Sequence, residues 1–468
     1  MVQHLLFSFL SVSLTVGAFA QIRIGTGQVE RLYSQHCQVC HGADLDGGLG
    51  GSLLDRSSWK EVGKERSFLE YVLNGNEAAG MPPFRDVLEP AQIRALEIYI
   101  NEERQIKEAN PPVADGTGVF SSDGYRFSLE TVVEDLDIPW SMEFMPDGGY
   151  LIAERPGPVR FFEDGKLLPP VEDTPEVWAR GQGGMMEVAL HPDFHKNGWI
   201  YLAYSEAAEK RNNAGMTKIV RGRIIDNIWM DEEVIFEAPE ETYGTTSRHF
   251  GVRLVFQDGY LFFAIGDRGR QNEAQDLSLP NGKIHRIYDD GRVPEDNPFA
   301  EVKGAFPTIW TYGNRNPQGL DEHPLTGEIW ESEHGPRGGD EINLIERGKN
   351  YGWPVITHGM NYSGTPITEK TEMEGMEQPK LHWTPSIAVC GIDFYEGDIF
   401  PEWQHDLFAG GLASEELHRL QIENGEVVRS SIVMKGAGRV RDVASGPDGY
   451  LYLVLNGPDR IVRLVPAE

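Results

Sequence analysis

One unit recurs along most of the chain: a turn rich in Pro, Asp and Gly, followed by a short apolar run typical of a β-strand. The turns are roughly 45–80 residues apart, whereas a four-stranded blade needs about 40–50 residues, and longer gaps hold inserted loops. The repeat therefore predicts a six-bladed β-propeller rather than paired β-sandwiches, which would not repeat one unit. The six turns begin at Pro146, Pro192, Asp258, Pro324, Pro401 and Pro447, and the strand runs that follow are 150–153, 199–204, 260–265, 328–330, 407–409 and 450–455.

The residues before the repeats have the apolar spacing that is typical of α-helices. In its last predicted helix, Ile93, Leu96 and Ile100 follow the i, i+3, i+7 spacing that places them on one face. Residues 104–118 contain Pro-Pro, Gly and charged residues without apolar periodicity, as linkers do. We therefore expect a multidomain protein with a signal peptide at 1–20, a small all-α domain at 21–105, a linker at 106–126 and the all-β propeller at 127–468.

The N-terminus is typical of a secretory signal. Apolar residues run from about Leu5 to Val16, and the small residues that end at Ala20 favour cleavage there. The alternative is an uncleaved membrane anchor, although the apolar stretch is short for a spanning helix. The mature protein is expected to be soluble and periplasmic or secreted. A net charge of −31 repels phosphate backbones and anionic lipid, which excludes nucleic acid as a partner.

The first domain contains a haem-attachment motif, Cys37-Gln38-Val39-Cys40-His41. Two thiols at this spacing add to the vinyl groups of haem, and the adjacent imidazole binds iron. A structural zinc site or a redox dithiol are the alternatives. Zinc would need further ligands, and the domain has no other Cys and only His36 besides His41. We therefore expect one covalent haem c.

The second axial ligand is found by elimination. Met81 is the only methionine between Gln21 and Arg126, and His36 is too close to the attachment site to reach the far side of the ring. A thioether ligand raises the reduction potential, as suits an electron acceptor. With a helix before the motif, the sequence Met-Pro-Pro-Phe at 81–84 and a closing helix, the domain resembles small cytochromes c.

Nine short motifs follow one another along residues 127–466. They are DIPWSM at 137–142, GQGGMM at 181–186, HPDF at 191–194, HFGVRL at 249–254, GNRNPQG at 313–319, EHGP at 333–336, DEINL at 340–344, NYGWP at 350–354 and RVRD at 439–442. In this order they resemble the soluble aldose and glucose dehydrogenases that depend on pyrroloquinoline quinone (PQQ), the glucose/sorbosone dehydrogenase family.

The resemblance implies a role for several residues. His249 would be the general base, since a neutral imidazole can take the proton of a sugar hydroxyl; the alternative is a histidine that only bonds a neighbouring loop. Arginine side chains suit the carboxylates of PQQ, although each could instead tie two blades together. The residues implied near PQQ are Gln182, Arg315, Asn316, Arg439 and Arg441; the carbonyls of Gly335 and Pro336 are implied at the calcium ion beside it, and Glu341 and Tyr351 at a second calcium ion.

Two positions depart from the glucose-oxidising branch of the family. Arg248 stands before the histidine where that branch has Asp, and Gly411-Leu412-Ala413 occupies a stretch where it has Lys. Both differences count against glucose as the substrate. Cys390, in an apolar context, is expected to be a small buried side chain, and His191 and His323 are expected to be structural.

The expected activity is oxidation of an aldose at C1, with electrons passing singly to the haem and then to a soluble cytochrome or the respiratory chain. A non-catalytic binding propeller with a relay haem is the first alternative. A calcium-dependent propeller hydrolase, such as a lactonase, is the second; it has less need of three arginines and leaves the haem unexplained.

Overall fold

The computed structural model describes residues 27–55, 67–109 and 111–467. The expected signal at 1–20 lies outside these ranges. A small helical domain is followed by a ring of six antiparallel sheets, which confirms the predicted fold class. No helix in the described ranges combines the length and apolar character that a membrane span requires.

The helical domain is built around its first and last helices. Ile93, Leu96 and Ile100 are buried on one face of the last helix, as their spacing predicts, and they pack with Val29 and Tyr33 of the first. The helices are α1 (Gln28–His36), α2 (Gln38–His41), α3 (Phe68–Asn74) and α4 (Pro90–Glu108), with a 3-10 turn at Glu77–Ala79.

Each of the first five blades is a four-stranded sheet with its strands in chain order. Blade 1 is β3 (Pro139–Phe144), β4 (Tyr150–Glu154), β5 (Val159–Glu163) and β6 (Lys166–Leu167); blade 2 is β7 (Met185–Leu190), β8 (Ile200–Ala207), β9 (Gly215–Ile225) and β10 (Ile228–Glu237). Blade 3 is β11 (Leu254–Gln257), β12 (Tyr260–Ile265), β13 (Lys283–Tyr288) and β14 (Ile309–Tyr312); blade 4 is β15 (Pro317–Glu322), β16 (Ile329–Glu333), β17 (Asp340–Leu344) and β18 (Leu381–Trp383). Blade 5 is β19 (Val389–Phe394), β20 (Leu407–Gly411), β21 (Glu416–Glu423) and β22 (Glu426–Lys435). Short helices lie between strands, at α5 (Phe194–Asn197) and the 3-10 turns Glu240–Thr242, Gln271–Gln275 and Pro401–Trp403.

The sixth blade closes the ring with both ends of the propeller chain. Its strands are β23 (Arg439–Ser445), β24 (Leu451–Asn456), β25 (Arg460–Pro466), β2 (Tyr125–Val133) and β1 (Val119–Ser122). Strand β2 pairs with the C-terminal strand β25, so that Leu129 lies opposite Leu464. Each of the six repeated turns leads into the second strand of a blade, which explains why one unit recurs.

Strands β1 and β2 begin inside the stretch 106–126 that was expected to be a linker. They form a hairpin whose two-residue turn is Asp123-Gly124, both with positive φ. Asp-Gly at such a turn matches the twist of the strands that it joins. The extended chain before it also contacts the ring, because Lys435 donates its backbone N–H to the carbonyl of Pro112 at 2.8 Å.

The first strands of neighbouring blades contact one another and surround the ring axis. A buried charge network lies at this centre: Arg253 is 2.6 Å from Glu187 and 3.0 Å from Asp442. Cys390 is fully buried, as expected. It also contacts a charged side chain, because Nη1 of Arg441 lies 3.3 Å from its Sγ. Polar side chains from several blades therefore fill the middle of the propeller.

Candidate functional site

Several of the predicted site residues, including Gln182, His249 and Arg315, are on loops beside the first strands of the blades. In an antiparallel pair, the start of the first strand lies beside the end of the second, as Pro317 lies opposite Glu333 in blade 4. His249 precedes the first strand of blade 3, and Arg315 precedes that of blade 4. Asp267 follows the second strand of blade 3. The ring therefore gathers residues that are far apart in sequence.

His249 is held by two hydrogen bonds. Its Nδ1 lies 2.6 Å from Oδ1 of Asp267, and its backbone N–H donates to Oε1 of Gln182 at 2.7 Å. Asp267 in turn accepts bonds from the indole N–H of Trp353 at 2.8 Å and from the backbone of Gly269 at 2.7 Å. His249 has a φ of 56°, a left-handed conformation that is costly for a residue other than Gly and is often found at functional sites.

The electrostatics favour a neutral imidazole beside a charged carboxylate. Burial, assisted by the nearby Arg315, lowers the pKa of His249. Burial alone would raise the pKa of Asp267, but the hydrogen bond and charge of His249 and the charge of Arg315 hold it below its ordinary value. A carboxylate that accepts from Nδ1–H leaves Nε2 with the lone pair. The pair has the form of a general base and the group that orients it.

Arg315 connects the loops of blades 3 and 4. Its Nη1 donates to the carbonyls of His334 at 2.7 Å and Gly335 at 2.6 Å, and its backbone N–H donates to Glu333 at 2.6 Å. Its carbonyl accepts from the backbone N–H of Asp267 at 2.8 Å. Its Nε is buried and forms no hydrogen bond within the described residues. A buried cationic donor therefore remains available to an anionic ligand.

His334 belongs to the EHGP motif, but no role was predicted for it from the sequence. Its Nδ1 lies 3.4 Å from Nδ2 of Asn316, and its buried Nε2 has no hydrogen-bond partner in the described part of the chain. Burial, then the charges of Arg441 and Arg315, hold its pKa well below the ordinary value. The site thus has a second neutral imidazole.

The two arginines of the RVRD motif differ in position. Arg439 is exposed at the start of β23, whereas Arg441 is buried. The guanidinium of Arg441 stacks on Trp140, 3.8 Å from the ring centroid, and bonds Asn456 at 3.3 Å. Arg441 therefore ties blade 6 to blade 1, while its charge reaches His334.

The implied calcium positions are occupied by the protein's own contacts. The carbonyl of Gly335 accepts from Arg315, and that of Pro336 accepts from Ser386 at 3.0 Å. Gly335 tolerates no other residue, because a Cβ there would lie 2.0 Å from the carbonyl oxygen of Gly339. No group of three or more His, Cys, Asp or Glu side chains in the described ranges is arranged to hold a metal ion.

The second implied calcium position combines one acidic and one aromatic residue. Glu341 is buried beside Glu331 and Glu333. Burial and the charge of Asp340 raise the pKa of Glu341, and burial with repulsion from Glu341 raises the pKa values of the other two. Asn343 donates to Glu331 at 3.0 Å. The hydroxyl of Tyr351 is directed away from this cluster to the carbonyl of Leu344, at 2.5 Å.

The haem motif has the arrangement that ligation requires. Cys37 and Cys40 are free thiols. His41 bonds the carbonyl of Gly51 through Nδ1 at 2.8 Å, which leaves Nε2 to bind iron, as is usual for a ligand histidine. Met81 is half-buried against the core of the helical domain. These four residues fit a haem c with His and Met axial ligands.

The helical domain contacts the propeller beside a cavity that His334, Gly335 and Pro336 line. Arg337, two residues after Gly335, lies 2.9 Å from both Glu30 and Glu102 of the helical domain. The cavity beside this contact has a volume of about 220 Å³. Its lining includes His334, Gly335, Pro336, Asp340 and Ala413 from the propeller and Glu102 from helix α4.

The comparisons with known proteins agree with both domains. The family described as glucose/sorbosone dehydrogenase matches residues 136–463, and that described as cytochrome c oxidase, cbb3-type, subunit III matches residues 26–100. Aldose sugar dehydrogenase YliI of Escherichia coli is 44% identical over 335 residues, which are 70% of this chain and 89% of that protein. Quinoprotein glucose dehydrogenase B of Acinetobacter calcoaceticus is 26% identical over 70% of this chain and 85% of its own length. The crystal structure of the apo form of the soluble aldose sugar dehydrogenase from Escherichia coli superposes with a TM-score of 0.69 and 39% identity, covering 73% of this chain and all of that one.

Proposed function

Since the chain belongs to the glucose/sorbosone dehydrogenase family and has an N-terminal cytochrome c domain, we propose that it is a PQQ-dependent dehydrogenase that oxidises an aldose at C1. Electrons from the sugar pass to its own haem c. The observation that carries the proposal is the buried pair of His249 and Asp267 next to Arg315. The signal expected at 1–20 adds export to the periplasm or the medium.

His249 acts as the base. Its Nε2 takes the proton of the C1 hydroxyl while the hydrogen on C1 leaves with two electrons. Asp267 holds Nδ1–H, so the imidazole presents the correct nitrogen, and its charge stabilises the imidazolium that forms. The buried surroundings keep the base neutral before the reaction, because they penalise the protonated ring.

The residues present fit PQQ, a planar tricarboxylate. In a chain of net charge −31, three arginines are implied near PQQ, and Arg315 has a buried N–H that finds no partner among the residues that the structure describes. Buried cations need an anionic partner, which carboxylates supply. When bound, PQQ supplies a quinone that accepts the hydride. The residues that would hold it are Gln182, Arg315, Asn316, Arg439 and Arg441.

Calcium is part of the same proposal. Gly335 and Pro336 supply carbonyl oxygens, which hard cations prefer, at the edge of the cavity. Glu341 has the buried carboxylates of Glu331 and Glu333 beside it, and a cation there would offset the repulsion from Glu341 that helps to raise the pKa values of those two groups. The backbone of Tyr351 would complete that second position.

The electrons balance as follows. Oxidation of one aldose to its lactone releases two electrons and two protons, and the protons go to solvent. Fe(III) takes one electron, so the haem is reduced twice in each turnover and is reoxidised in between by an external one-electron acceptor, a cytochrome or a respiratory-chain component.

The test is substrate-dependent reduction of the haem. Purified protein is supplied with PQQ and Ca²⁺, mixed with a panel of aldoses, and followed by haem absorbance. We expect reduction with at least one aldose and none with the His249→Ala variant. If no sugar reduces the haem, or if the variant reduces it at the normal rate, the proposal is wrong.

A further inference from the structure

Two neighbouring propeller residues, Arg337 and Met360, contact the cytochrome domain and join it to the ring. Arg337 provides the ionic part. Its guanidinium lies 2.9 Å from Glu30 of α1 and bonds both carboxylate oxygens of Glu102 of α4, with Nε at 3.0 and 3.2 Å from them. Forked pairing of this kind fixes direction as well as distance. One arginine therefore bridges the two helices that form the core of the cytochrome domain.

Met360 provides the apolar part. Its backbone pairs with that of Arg337 in an antiparallel bridge, with N–H to carbonyl distances of 2.9 Å in both directions. Its side chain is fully buried and belongs to the same apolar cluster as Val29, Leu96 and Tyr99 of the cytochrome domain. A propeller residue thus completes the cytochrome core.

The contact is also close-packed at the backbone. Gln28 donates its N–H to the carbonyl of Ser363 at 2.8 Å. Gly364 has a φ of 78°, and a Cβ there would lie 2.8 Å from the nitrogen of Val29. Only glycine allows so near an approach without strain. The first turn of α1 is therefore seated directly on the propeller.

The contact between Arg337 and Glu102 borders the cavity. Arg337 follows Pro336, which lines the cavity, and Glu102 lines the same cavity from the cytochrome side. Along α1, Glu30 and Cys37 are seven residues apart, about 10 Å at the rise of an α-helix. By contrast, a free linker of residues 109–118 would let the domain range over about 18 Å. Tethering alone would not fix the haem beside the cavity.

We propose that Arg337 and Met360 form a docking site for the cytochrome domain, and that the docked position determines how fast electrons reach the haem. Arg337 is in this sense a positioning residue. The electron-transfer half of this inference rests on the proposed function, whereas the docking half does not.

The docking half is tested by hydrogen exchange on the full-length protein without substrate. We compare Glu30→Gln and Met360→Ala with the control Arg429→Gln, which removes an ion pair between the exposed Arg429 of blade 5 and Asp123 of the β1–β2 hairpin. Peptides 28–34 and 360–364 should exchange about tenfold faster in the first two variants, as expected when opening of the contact becomes about 1.4 kcal/mol easier, and unchanged in the control. Unchanged exchange in both variants would overturn the docking site.

The electron-transfer half is tested by stopped-flow with a reducing aldose. In Glu30→Gln, haem reduction should be about tenfold slower, whereas oxidation coupled to a small dye that accepts electrons directly should keep the normal rate. Equal haem reduction despite faster exchange would overturn this half. If the unaltered protein reduces neither haem nor dye with any sugar, the proposed function fails, and hydrogen exchange still decides whether the domains dock here.

Discussion

Oδ1 of Asp267 lies 2.6 Å from Nδ1 of His249, while Oδ2 of the same carboxylate accepts the indole N–H of Trp353 at 2.8 Å. Each oxygen thus has its own donor, and the carboxylate cannot rotate without losing one of them. The imidazole is fixed twice, by this bond and by its backbone bond to Gln182. In the proposed reaction, the direction of the basic nitrogen is set before the sugar arrives.

Asp267→Asn should lower kcat by about 100-fold or more and change KM little. The amide can donate to Nδ1, which would move the ring proton to Nε2 and remove the basic lone pair. Steady-state kinetics with a dye acceptor measures both constants. The matched control is Asp193→Asn, on an exposed turn of blade 2, and a kcat loss as large in the control would contradict the role of Asp267.

The pH dependence of the activity should reflect the protonation of the His249 imidazole. Burial and Arg315 lower its pKa and Asp267 opposes them, with Arg248 contributing a smaller lowering charge. The base works when deprotonated, so activity should fall on the acid side with a midpoint below the ordinary histidine value of about 6.5. Arg248→Gln removes one cation and should move this midpoint to higher pH. A shift to lower pH, or a midpoint above 6.5 in the unaltered protein, would contradict the assignment.

Met81→Ala should keep the covalent haem but lower its reduction potential. The thioether stabilises the reduced iron, and its loss opens the sixth position to an external ligand. Redox titration measures the potential, and added imidazole should bind the oxidised variant. If the variant kept the normal potential and excluded imidazole, another residue would be the axial ligand.

Arg253→Met should lower the free energy of unfolding of the propeller by about 3–5 kcal/mol, because it leaves two buried carboxylates without their cation. Those carboxylates belong to Glu187 and Asp442. Tryptophan fluorescence in denaturant follows the propeller, and haem absorbance follows the cytochrome domain separately. Arg429 serves as control, because its side chain is exposed and Asp123 keeps its ion pair with Arg419, so that Arg429→Gln should cost at most about 1 kcal/mol.

The features of the fold that could be predicted from the sequence are the local and the periodic ones. The six turns identified the second strand of every blade, and the spacing of Ile93, Leu96 and Ile100 identified the buried face of α4. The hairpin at Asp123-Gly124 was assigned to a linker because the strand pattern is clear only from about Phe127, although the Asp-Gly turn signal is present.

Contacts between distant segments were beyond prediction from the sequence. Asp267 is eighteen residues from His249, and only the pairing of blade 3 brings it to the imidazole. The burial of the Arg441 side chain depends on its stacking against Trp140, across the junction of two blades. The ion pair of Arg337 with Glu102 joins residues 235 positions apart, and no local sequence pattern predicts it.

The pairing of β2 with β25 has a consequence for how the protein is made. Strand β2 is synthesised soon after the cytochrome domain, whereas its partner β25 is synthesised after every other strand of the ring. Until then the nascent ring is an open arc with an unpaired edge, which invites association with other chains. Closure of the ring therefore waits for this one long-range pair, whereas each of the first five blades pairs strands that are consecutive in the chain.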